Sequence, residues 1–234
     1  MKYMIITSFI FLFNFSKGQT MEYFINIDGG MYALRGNGTT SLTWLIPSNP
    51  LGQSWFVENP YGSIPALSYG ISGQVQRVTN KKIIFGADLG FEILRSRENL
   101  ENLANEITGS TVLTNHFFNI TPFLGYRIIS GNDLKIDCTV GIDMGYYLYG
   151  ETTGQEIEPN GSTIKTNTST SNGDLIVINA SLPIDLRPGS QLRFYYKHYG
   201  IYIGYSYGIT NYLGSSLENA YSRFVRFGLN YKIK

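Results

Sequence analysis

After Glu22 the chain alternates between apolar and polar residues with period 2 almost everywhere, and a helical period of 3.6 is sustained nowhere. Strict alternation marks β-strands whose two faces meet different surroundings. The clearest run spans 134–149. There Leu134, Ile136, Cys138, Val140, Ile142, Met144, Tyr146 and Leu148 share one face, and Lys135, Asp137, Thr139, Gly141, Asp143 and Gly145 share the other. Another run sets Ile83, Phe85, Ala87, Leu89, Phe91 and Ile93 against Gly86, Asp88, Gly90 and Glu92. The last sets Val225, Phe227, Leu229, Tyr231 and Ile233 against Arg226, Gly228, Asn230 and Lys232. One face is apolar along its whole length, and the other is small or charged.

Eight strands are expected, near 22–34, 63–77, 83–95, 115–128, 134–149, 174–187, 191–208 and 220–233. Most exceed the usual globular strand, and about 10 tilted residues suffice to cross a bilayer. The connections alternate in length. Residues 78–82, 129–133 and Arg187-Pro188-Gly189-Ser190 read as turns, whereas 35–62, 96–114, 150–173 and 209–219 are long and rich in Gly, Asn, Ser and Thr. Short turns at one end and long loops at the other describe an outer-membrane barrel. The expected fold class is all-β, an eight-stranded antiparallel up-and-down transmembrane β-barrel, located in the cell outer membrane. A lipocalin-like soluble barrel would also alternate, but its apolar face points inward. Here the polar face carries Asp28, Asp88, Glu92, Arg127, Lys135, Asp137, Asp143 and Arg226, too many charges for an apolar cup. A soluble sandwich is the other alternative. The run 191–208 changes phase between Tyr196 and Tyr199, which fits a bulge near Lys197-His198. A turn at 197–200, shifting the last hairpin, is the alternative.

Residues 1–18 read as a secretory signal, with Lys2 ahead of an apolar stretch from Met4 to Phe15 and Ser16-Lys17-Gly18 at the cleavage position, so 19–234 form the barrel. A formal net charge of +1 lacks the basic footprint that nucleic-acid binding requires. A single cysteine, Cys138, makes neither an internal disulfide nor a cysteine metal cluster. No cofactor or metal signature is present, and none is expected.

Aspartate flanked by glycine recurs on the polar face, as in Gly86-x-Asp88-x-Gly90 and Gly141-x-Asp143-x-Gly145, while returning strands bring Arg127 and Arg226 to the same face. An eight-stranded barrel is only wide enough for its own side chains. Asp28, Asp88, Asp143, Arg127 and Arg226 are therefore expected to form a structural ion-pair core. The expectation is a non-enzyme. The competing reading is an outer-membrane lipid-modifying hydrolase built on His116 with Ser96, Glu98 or Glu151, against which stands a solvated rim histidine with no catalytic motif around it. Loop 35–62 holds Trp44, Trp55, Phe56 and Tyr61, including both tryptophans of the protein. Such apolar surface either folds over the barrel mouth or meets another envelope protein of a larger complex. Lipid of the outer membrane is the other expected partner.

His116-Phe117-Phe118-Asn119-Ile120-Thr121-Pro122-Phe123-Leu124-Gly125-Tyr126-Arg127, Tyr205-Ser206-Tyr207-Gly208-Ile209-Thr210-Asn211 and Phe224-Val225-Arg226-Phe227-Gly228-Leu229-Asn230-Tyr231-Lys232 resemble the PorT-like outer-membrane β-barrel family of Bacteroidota. The resemblance implies an eight-stranded barrel and, for the family's namesake, an accessory role in type IX protein secretion. The chain departs from the pattern in its long aromatic first loop and in ending Lys232-Ile233-Lys234, without a terminal aromatic.

Overall fold

The structure is a computed structural model, and it describes residues 20–47, 55–101, 107–157, 163–171, 183–214 and 217–233. The expected signal segment 1–18 and most of the strand expected at 174–187 lie outside these residues. The strands are β1 (Thr20–Arg35), β2 (Leu42–Pro47), β3 (Trp55–Val57), β4 (Ile64–Val78), β5 (Ile83–Glu101), β6 (Ile107–Ser130), β7 (Leu134–Ile157), β8 (Thr163–Ser171), β9 (Ile184–Tyr196), β10 (Tyr199–Tyr207) and β11 (Tyr221–Lys232). Eight of them close a ring in the order β1-β4-β5-β6-β7-β9-β10-β11, with β11 returning antiparallel to β1. Closure leaves the ring no unpaired edge, which is what lets a sheet cross a bilayer.

Period-2 sequence dictates which way each residue faces. The outward phase is apolar and exposed, with Ile27 at 60%, Leu67 at 61% and Leu229 at 60%. The inward phase is polar and buried, with Asp137, Asp185 and Arg187 at 0%. This inversion of a soluble core is stable only when lipid surrounds the barrel. The short connections 79–82, 131–133 and 197–198 lie at the end where β1 begins and β11 finishes, and Lys232 N–H donates to His198 O at 2.7 Å.

Two expectations are corrected. Arg187-Pro188-Gly189-Ser190 is not a turn, nor does one bulged strand run through 191–208. Instead β9 passes through Pro188 and turns at Lys197-His198, with Tyr196 opposite Tyr199 and Lys197 at a φ of 54°. Pro188 is tolerated because the β9–β10 ladder stops at Gly189↔Ser206, so its missing N–H falls just beyond the ladder, while β7 pairs continuously along the other side. The second correction concerns the loops, which are partly strand. β5, β6 and β7 extend well past the apolar belt, β8 pairs with the β7 extension, and β2 adds in parallel to β5 through Leu42↔Asn99.

Candidate functional site: a filled lumen and an outer cleft

The inward phase of eight strands stacks charged groups from the short-turn end outward. At this end, the periplasmic one by the rule that outer-membrane barrels keep their short turns there, Glu22 of β1 meets Arg127 at 2.6 Å, Lys135 at 3.0 Å and Lys232 at 2.7 Å. Arg127 also donates to Asp137 at 2.7 Å, and Gln76 bridges Glu22 and Asp137. Next, Arg193 pairs with Asp88 at 3.1 Å and lies over the Phe123 ring at 5.0 Å. Further out, Arg226 bonds Glu92 and, at 3.0 Å, Asp143, while Arg187 holds Glu92 at 3.1 Å and Asp185 at 3.5 Å. Thr121 and Ser206 donate to Asp143, and Tyr212 and Ser222 donate to Asp185. Each buried carboxylate in this network thus meets a cation or hydroxyl, as the low-dielectric interior demands.

Glycine makes room for these guanidinium groups. Gly30 and Gly204 are the cross-strand neighbours of Arg226 on either side, and a Cβ on Gly30 would lie 2.2 Å from the carbonyl oxygen of Val225. Two voids of about 20 Å³ each, about the room of one water, adjoin Asp88, Arg193 and Arg226, one of them also bordered by Asp143 and the other by Asp28 and Glu92. Above them Tyr32, Leu94, Phe117, Tyr147, Tyr212 and Phe224 form an apolar plug.

Among the residues singled out from the sequence, Asp143 and Arg226 meet directly, Asp88 pairs with Arg193, and Arg127 pairs with Glu22 and Asp137. Asp28 faces the lumen beside the void that Arg193 and Arg226 line, without an ion pair among the described residues. Sequence reasoning missed Arg187, Arg193 and Asp185, because taking Pro188-Gly189 for a turn broke the alternation that places them inside. Glu22 was read only as the start of a strand.

Of the candidate catalytic set, Ser96 and Glu98 are buried and face inward, whereas His116 faces outward, stacked on Tyr149 with ring centroids 3.9 Å apart. The sheet separates them. His116 is also not a solvated rim histidine, being only 8% exposed between Phe91 and Tyr149. Glu98 lies beyond the membrane-facing belt. Both of its oxygens lack a hydrogen-bond partner, and burial pushes its carboxyl up to about 9.

Loop 35–62 divides into two parts. Tyr61 is buried in the plug, and burial pushes its phenol up to about 12. Trp44 is half-buried and lines a cleft of about 430 Å³ with Leu42, Glu58, Pro60 and Leu213. Trp55 and Phe56 belong to β3, opposite Pro47 and Ile46 of β2, and their side chains lie outside the described residues.

A closed eight-stranded ring with an apolar exterior, a charged interior, short turns at one end and extended hairpins at the other defines an outer-membrane β-barrel protein. Residues 51–214 match the model of the outer membrane protein beta-barrel domain, and the chain belongs to that family and to the outer membrane. Among curated proteins none matches. Similar solved structures include Ail, the attachment invasion locus protein of Yersinia pestis, in complex with the heparin analogue sucrose octasulfate, at 12% identity and a TM-score of 0.39, covering 92% of this chain and 99% of that one. Neisserial surface protein A (NspA) is similar at 10% identity and a TM-score of 0.41, covering 93% and 100%.

Proposed function

We propose that the protein is a non-enzymatic, non-conducting barrel that serves as a structural or accessory subunit of a cell-envelope complex, engaging other envelope proteins through the cleft side of loop 35–62. The observation that supports this most is the filled lumen: ion pairs and an aromatic plug occupy it along its length, leaving voids of about 20 Å³. An eight-stranded barrel so packed offers no aqueous path. What it offers instead is a rigid base carrying extended hairpins and a cleft walled by Trp44. Indole in a concave, half-buried position is a favoured anchor for a protein partner. The complex we favour is one of protein export, a preference resting on the PorT-like resemblance of the strand motifs alone.

The test is purification from native membranes in mild detergent, with wild type beside a Trp44→Ser, Trp55→Ser variant. Envelope proteins co-purifying with wild type and depleted from the variant, whose barrel stays heat-modifiable on gels, support the proposal. Retention of every partner at wild-type yield removes loop 35–62 as the interface. Steady conductance of the pure protein in planar bilayers overturns the non-conducting reading.

A further inference from the structure

The extracellular rim of the barrel is chemically lopsided on its outward face. Directly above the last membrane-facing apolar residues, which include Met31, Leu67, Ile93 and Val225, stand four arginines: Arg35 on β1, Arg95 and Arg97 on β5, and Arg223 on β11. In ring order β11, β1, β4 and β5 are consecutive, so the four share one half of the circumference. Arg223 is opposite Ala33, two residues from Arg35, and its Nη2 reaches across β1 to donate to Ser63 O at 3.1 Å. Ser63 adjoins Ile64, the partner of Arg97, which closes the patch. Next to β5, the outward positions of β6 and β7 at this level are Thr114, His116, Tyr149 and Glu151, with no arginine, and Glu151 lies two strands from Arg95 through Thr114.

Arg35, Arg95 and Arg223 are held in place by hydrogen bonds or ring stacking, Arg97 is exposed, and none of the four has a counter-ion among the described residues. Arg35 lies 3.5 Å from the Tyr207 ring centroid and donates to Gly208 O at 2.8 Å. Arg95 lies 5.2 Å over Tyr69 and donates to its hydroxyl at 3.3 Å. The Nε of each is buried without an acceptor. Every ion pair among the described residues is in the lumen, and none includes these four. Outward positions of β11, β1 and β4 carry no carboxylate, and neither does β5 as far as Arg97. Four like charges at the edge of hydrocarbon, two of them, Arg35 and Arg95, stacked on tyrosines, favour anions at that depth. A planar guanidinium fork matches a phosphate in two-point contact. Phosphorylated lipid headgroups supply that anion at that level, as free solutes do not.

We propose that this rim is a binding site for the phosphate groups of an outer-leaflet glycolipid, gripped by Arg35, Arg95, Arg97 and Arg223, with the acyl chains lying along the apolar strip of β11, β1 and β4 beneath. It rests on the placement of the barrel in the membrane and is independent of the proposed protein partner.

The test uses the full chain in a nonionic detergent, titrated with diphosphorylated lipid A, with the same lipid stripped of phosphate, and with inorganic phosphate, retained lipid being read by native mass spectrometry. Two variants accompany it: the Arg35→Gln, Arg95→Gln, Arg97→Gln, Arg223→Gln protein, and a periplasmic-side control with Lys81→Gln, Lys82→Gln and Lys197→Gln. Wild type and control should bind diphosphorylated lipid A at least tenfold more tightly than the stripped lipid, and the arginine variant should lose that preference. Should the fourfold variant fail to show a heat-modifiable band, the pairs Arg35→Gln, Arg223→Gln and Arg95→Gln, Arg97→Gln carry the same comparison. Equal retention of the two lipids by wild type, or an undiminished preference in the variants, overturns the proposal. Displacement of bound lipid A by inorganic phosphate at equal concentration refutes a lipid site in favour of a simple anion site.

Discussion

Arg226→Ala removes the cation that joins two buried carboxylates, and the structure sets the size of the penalty. Arg226 bonds Glu92 and, at 3.0 Å, Asp143. Each charge-assisted hydrogen bond contributes about 1.5–3 kcal/mol. Part of the loss is offset, since Arg187 stays 3.1 Å from Glu92 and 4.0 Å from Asp143, and Thr121 and Ser206 still donate to Asp143. Gly30 and Gly204 on either side have no side chain to fill the space, but the adjoining voids let water in. The net cost should therefore fall at the lower end of the range for breaking a buried pair, about 3 kcal/mol. Arg223→Ala is the comparison. Arg223 lies three residues away in sequence but faces outward, with one bond to Ser63 O, so its loss should cost about 1 kcal/mol or less. Urea unfolding in phospholipid vesicles, followed by the β signal in circular dichroism, measures both. Adding Glu92→Gln to Arg226→Ala should cost less than the sum of the single changes, because one stranded charge disappears. Equal costs for Arg226→Ala and Arg223→Ala, or strict additivity with Glu92→Gln, would refute the assigned inside and outside phases of β11.

Glu98, with its folded-state carboxyl at about 9 against a reference of 4.5, favours the neutral form, so its contribution is complete below the unfolded value and is lost as pH rises to about 9. Glu98→Gln should match wild type near pH 4 and exceed it by about 1.4 kcal/mol for each further pH unit up to that point, in urea midpoints measured across pH. Gly30→Val, whose side chain would drive into the Val225 carbonyl and the Phe224 ring, should abolish the heat-modifiable band, whereas Gly73→Val, with open space around it, should keep it. Tyr61→Ala should speed protease cleavage within loop 35–62 while the barrel fragment stays folded, because Tyr61 ties that loop to the aromatic plug. The wild-type protein itself should be β-dominated and heat-modifiable in detergent, and a dominant helical signal would refute the barrel.

Alternation together with loop length determined the fold class and the ring of eight, though not β2, β3 or β8, and the face of most residues in the ring, because a one-residue period mismatch would turn apolar side chains into the lumen and charges into lipid. Leu134 to Leu148 and Val225 to Ile233 could be oriented without a single tertiary contact. Loop-length asymmetry likewise assigned the two ends. What alternation could not supply was pairing across the ring. Asp88 meets Arg193 and Arg127 meets Glu22, residues 105 positions apart in both cases, and only closure with a definite register decides such partners. Turn chemistry misled where local and global demands conflicted. Pro188-Gly189 has the stronger turn signal, yet the chain reverses at Lys197-His198, because β9 must continue to match the length of β7 and bring Arg193 and Arg187 inside. The rim arginines show the same division. Their outward phase follows from sequence, but their gathering on four neighbouring strands follows from ring order, in which β4 separates β1 from β5 and β11 closes beside β1. Local periodicity reports the surroundings of each residue, while contacts between residues distant in sequence are set by how the sheet closes.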